Sequence, residues 1–167
     1  RPTSSVPIDE PDGDAGNRPI YVRVVVDVGS ILRGHPDVAP DAETPTAIAF
    51  DPAQMVVTAT AGRADQDTGQ LTLNAGAGDT LRLFAKSGSN NFEHAALIED
   101  LRPAGDDAML QDVGAVALSR ETSAPRAQAA AQLAEPAEHS FTFWQGAIAS
   151  EGTQAYDVIL ALYDREP

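Results

Sequence analysis

Apolar and polar residues alternate in short stretches along most of this chain, the two-residue period of strands that bury one face. The clearest stretch is 20–28, where Ile20, Val22, Val24, Val26 and Val28 share a face and β-branched residues dominate. A second strand is predicted over 54–61. Asp65, Gln66, Asp67, Thr68 and Gly69 read as a turn before a strand at 70–74. Gly76, Gly78 and Asp79 read as a tight turn before another at 80–86. Leu71 and Leu73 with Leu81 and Leu83 then point inward together, which predicts a hairpin-like pair. Strands are also predicted over 94–101, 113–119, 140–148 and 154–163. The long connection carrying Pro36, Pro40, Pro45 and Pro52 exceeds the usual loop, and is expected to be functional or packed along the sheet.

Helical propensity is confined to 126–133, where Leu133 is the one large apolar side chain, so a short superficial helix is expected. Short alternating strands between turn signals predict an all-β fold, an antiparallel β-sandwich with one short surface helix. No regular succession of strand and long amphipathic helix suggests a parallel α/β sheet. Residues 1–19 are rich in proline and acid without apolar period and read as a flexible arm. Residues 20–167 read as a single β-sandwich domain.

Charge narrows the function. Against 25 acidic residues stand 11 basic ones, of which only Lys86 is lysine, for a net charge of −14. A field of that sign repels phosphate, so neither nucleic acid nor an anionic membrane is expected as partner. The absence of cysteine removes thiolate nucleophiles, cysteine zinc sites and redox motifs together. No apolar run approaches the roughly 20 residues that span a bilayer. The chain opens on Arg1 and not Met, which leaves a removed signal peptide, and so secretion, open.

Motifs that carry chemistry fail one by one. Counted from Asp12, a calcium hand needs glycine sixth and glutamate twelfth, and finds Asn17 and Arg23. His35, His94 and His139 do not pair at metal-ligand spacing. There is no Gly-x-Ser-x-Gly elbow, and Ser30, Ser87 and Ser89 have no base near them in sequence. Leu81 stands where a dinucleotide fingerprint needs its third glycine, and Lys86-Ser87 lacks the glycines of a phosphate loop. No cofactor, metal or catalytic residue is expected. A carboxylate pair of glycosidase type has no fixed spacing, and sequence is silent on it.

Sugar binding in sandwiches relies on exposed aromatics. In Phe141-Thr142-Phe143-Trp144 the two phenylalanines share one face and Trp144 takes the other. With the phenylalanines in the core, Trp144 would face outward and stack on a ligand. Large aromatics are mostly buried, so Trp144 packing under the long connection is the stronger expectation.

Taken in order, Val24-Val25-Val26-Asp27, Ser30-Ile31-Leu32, His35-Pro36, Thr44-Pro45-Thr46 and Met55-Val56 resemble the opening of the PixA/AidA family of bacterial inclusion-body proteins. The Gly69-x-Leu71 turn, Gly76-x-Gly78-Asp79-x-Leu81 and Tyr156-x-Val158-x-Leu160-x-Leu162-Tyr163 extend the resemblance over most of 20–163. It implies a compact β protein without enzymatic activity. It further implies a self-associating or binding protein; some members accumulate as cytoplasmic crystalline inclusions, and some are produced under quorum-sensing control. It transfers no catalytic residue. Members of that family commonly continue past the last strand into an aromatic tail, whereas the sequence here stops at Arg165-Glu166-Pro167, which leaves open both a divergent relative and a tail lying beyond these residues.

Two functions follow as expectations. One is a non-enzymatic protein acting through a homo-oligomer or another partner. The other is a small-ligand or carbohydrate-binding module, with Trp144, His35 and Asp27 as candidate ligand-binding residues.

Overall fold

The computed structural model describes residues 18–37, 44–106, 108–125 and 134–164. In chain order the elements are β1 (Pro19–Val26), α1 (Val28–Gly34), β2 (Met55–Ala59), β3 (Gly62–Ala64), β4 (Leu71–Leu73), β5 (Thr80–Ser87), β6 (His94–Pro103), β7 (Leu110–Pro125), β8 (Ala134–Ile148) and β9 (Tyr156–Asp164). Five of them form one sheet in the order β2-β1-β5-β8-β7. The ribbons β3-β4 and β6-β9 supply the second layer. The fold is all-β, and every strand pair is antiparallel except β1 with β5, which runs parallel.

The alternation in β1 builds the core. Ile20, Val22 and Val26 are at most 2% exposed, and each fully buried side chain of this size is worth roughly 1.5–3 kcal/mol. Val22 packs with Val57 and Leu83 against Leu71 and Leu73 of β4 and Ile98 and Leu101 of β6, joining the two layers. Ile20 meets Leu110 and Ile148 at one end of the sheet. Val26 meets Ala96, Leu160 and Leu162 at the other, where α1 closes the core with Val28 and Ile31.

Two expectations are corrected. The short helix lies at α1, where a strand end and a loop were expected. Asp27 caps its N-terminus by accepting from the Ser30 backbone N–H, and Val28 and Ile31 share its buried face. The helix expected over 126–133 falls outside the described residues. The pair expected between 70–74 and 80–86 does not form: β4 returns on β3, and β5 lies between β1 and β8 in the other layer. The turn at Gly76 to Asp79 carries the chain between layers, with Gly78 at φ 94°.

The strand expected over 113–119 extends to Leu110–Pro125 because β8 pairs along its length. Of the arm expected over 1–19, residues 1–17 lie outside the described residues. Arg18 is held by Asp79, and Pro19 opens β1. The acidic segment weighed for calcium also lies outside.

Candidate functional site

The end of the sheet beside α1 holds a cleft of about 360 Å³, lined by Asp27, Val28, Gln54, Met55, Ser87 and His94 among others. The floor is set by β1, which ends at Val26 and hands over to the helix cap. The Asp27 carboxylate accepts from Ser30 N at 3.0 Å and from Ser30 Oγ at 2.7 Å, and that hydroxyl accepts from Arg33 Nη2 at 3.0 Å. The Ser30 hydroxyl first, then its backbone N–H, hold the Asp27 carboxyl below the usual carboxylate range. Lost solvent pushes the other way, by less than the Ser30 bonds, and the charges of Arg33 and His94 add smaller downward contributions.

His94 reaches the cleft from the start of β6. The register of β6 on β9 pairs it with Asp164, and its Nδ1 lies 2.8 Å from Asp164 Oδ1 without meeting hydrogen-bond direction. A Cβ on Gly29 would stand 3.3 Å from His94 Nε2 and 3.2 Å from Arg33 Nη1, so a glycine lets both side chains close over the helix start.

Serines 87 and 89 line the same cleft as His94, but their hydroxyls serve the loop. Ser87 Oγ donates to the His94 carbonyl and accepts from Asn91 N at 2.8 Å. Ser89 Oγ accepts from Glu93 N at 3.0 Å and His94 N at 3.3 Å. Neither hydroxyl is bonded to the ring, so the cleft offers an ionised carboxylate, an imidazole and an apolar wall, with no nucleophile aligned to a base. Among the described residues no three of His, Asp and Glu converge as a metal site.

The three residues named from sequence are not brought together. Asp27 and His35 cap opposite ends of α1, roughly 12 Å apart at 1.5 Å rise per residue. Trp144 lies elsewhere, packed between the layers on the Val22, Val57 and Leu83 cluster, with Nε1 donating to the Ile98 carbonyl at 2.8 Å. The alternation at 141–144 holds, with the inward side taken by Trp144. Sequence reading missed His94 with Asp164 as a pair. Only the β6–β9 register brings them together, and no spacing along the chain announces it.

Phe143 is 6% exposed on the outward side of the five-stranded sheet, where the rings of Phe84 and Phe143 lie 5.0 Å apart. The Arg82 guanidinium stands over both Tyr21 and Phe143, at 5.7 and 5.4 Å from their centroids. Its Nε donates to Gln145 Oε1 at 2.9 Å, which fixes the guanidinium across the sheet.

The family model described as "PixA: Inclusion body protein" matches residues 18–167. Nine chains of solved structures match. One is the crystal structure of a PixA inclusion body protein from Burkholderia cenocepacia J2315, 23% identical, with a TM-score of 0.74 over 92% of this chain and 87% of that one. No curated protein matches.

Proposed function

The chain belongs to the PixA family of inclusion body proteins, and from that premise we propose that it acts without catalysis, by associating with copies of itself in the cytoplasm. The observation that carries the proposal is the family match over residues 18–167. Two features of the molecule support it. The serine hydroxyls of the cleft are spent on backbone groups. The outward side of the five-stranded sheet is a surface of aromatic rings and arginine, residue types enriched where proteins meet. No helix among the described residues is long and apolar enough to cross a membrane.

Light scattering after size exclusion, over a range of protein concentration and across pH 4 to 8, tests the proposal. A mean mass that climbs with concentration is the expected result. A strict monomer under every condition would retire it.

A further inference from the structure

β8 leaves the five-stranded sheet beyond Trp144. Its register with β5 runs only from Ala147 to Trp144, and from Phe143 outward its strand partner among the described residues is β7. The outer part of this hairpin is a two-stranded ribbon on which Ser119, Arg120, Glu121, Glu138, His139 and Ser140 are all exposed. A two-stranded ribbon alone is marginal in water, so this one gains from being covered.

Its two faces differ in charge. Arg120 stands opposite His139 on the outward face, and Glu121 opposite Glu138 on the inward face. Like charges directly across a strand pair repel, and neither glutamate forms a salt bridge among the described residues. The outward face continues over the five-stranded sheet through the registers Gln145 with Arg82, Arg82 with Tyr21, and Val25 with Lys86. Arg23, Arg82, Lys86 and Arg120 all lie on it. No Asp or Glu takes an outward position over 21–25, 56–58, 80–86, 139–145 or 114–120; Asp27 borders that face beyond Val25, and Glu135 lies at the ribbon tip. In a chain of net charge −14, four of eleven basic residues are thus gathered on strand stretches whose outward positions hold no acid among the described residues.

We infer that the inward face of the ribbon, carrying Glu121 and Glu138, docks on the outward face of a second copy around Arg23 and Arg120. The inference rests on the self-association proposed above and names its surfaces. The two patches differ, so the contact is head-to-tail, and unless the rotation closes a ring it propagates as an open array. Open growth is what an inclusion requires.

The test uses two double variants of the full chain, R23E with R120E and E121K with E138K. All four positions are exposed, so thermal midpoints near that of the wild type serve as the folding control. Each variant alone is expected to need roughly tenfold or more protein to reach the wild-type mean mass, since like charge then meets like. An equimolar mixture should recover association, because each variant complements the other. A generic charge effect predicts otherwise: E121K with E138K, being less negative, would associate more readily than the wild type. That result, variants indistinguishable from an associating wild type, or a mixture that stays dispersed would overturn the inference while leaving self-association standing. A wild type that is monomeric throughout would remove both.

Discussion

The backbone N–H of Arg18 donates to Asp79 Oδ1 at 3.0 Å, and so fixes where the first strand enters the sheet. The other carboxylate oxygen accepts from Gly76 N at 3.0 Å and lies 3.4 Å from Arg18 Nη2. Asp79 is 5% exposed, one of two buried polar residues in the described core, and it sits in the turn that carries the chain between layers. Replacing it strands two backbone donors away from water. Asp79→Ala should cost about 1–3 kcal/mol, seen as a fall of roughly 2–12 °C in Tm. Asp79→Asn keeps one acceptor and should fall between the two. A Tm for Asp79→Ala equal to the wild type would show that the carboxylate does not hold the turn.

Acid should expose the same group. The Gly76 N–H first, then Arg18 through its backbone N–H, its charge and its side chain, hold the Asp79 carboxyl below the usual value of 3.8, against an upward push from burial. Asp27 is lowered by Ser30 in the same direction. With folded values below the unfolded ones, the unfolded chain binds more protons between them, so stability rises with pH through that window. The contribution is complete above about pH 3.8 and is lost as pH falls through the folded values. Thermal midpoints from pH 2.5 to 6 should drop at the acid end, and less steeply in Asp79→Asn. Parallel acid limbs for the two chains would contradict the assignment.

What was legible in the sequence was whatever depends on neighbours along the chain. Ile20, Val22 and Val26 are core because a period of two puts them there. The break came at Val28, which continues that period from Val26 and equally pairs with Ile31 one helical turn on. The Asp27 cap to Ser30 decides for the helix. Partners across the sheet leave no such trace. Leu73 faces the core as read, yet its strand returns on Gly62 in a ribbon, and His94 meets Asp164 only because β6 and β9 pair. For Trp144 the alternation was plain, but which side of β8 meets the second layer is set by its pairing with β5 and β7, which leaves no mark along the chain.

Trp144 is the sole tryptophan, so its fluorescence reports the space between the layers. Trp144→Phe removes the donor to the Ile98 carbonyl and leaves a gap in the Val22, Val57 and Leu83 cluster. A loss of about 2–4 kcal/mol is expected from the unpaired carbonyl and the lost packing together. A panel of glycans should leave the emission of the wild type unmoved. Saturable quenching by any sugar would argue that the indole is reached from outside.

The loop between β5 and β6 owes its shape to one amide. Asn91 has φ 62°, and its Oδ1 accepts from Ser87 N at 2.7 Å and Ala96 N at 3.1 Å, standing in for a strand partner between the end of β5 and the start of β6. Side-chain bonding and backbone conformation can be separated here. Asn91→Gly keeps the positive φ without strain and loses only the hydrogen bonds, whereas Asn91→Ala loses both. Losses of about 1–3 kcal/mol for glycine, and about 1 kcal/mol more for alanine, are expected in urea unfolding. Because Ser87 and Ala96 flank His94, amide exchange at these two positions should quicken in both variants while the Ile20 region stays protected. Equal stability of Asn91→Gly and the wild type would mean that the serines alone hold the loop.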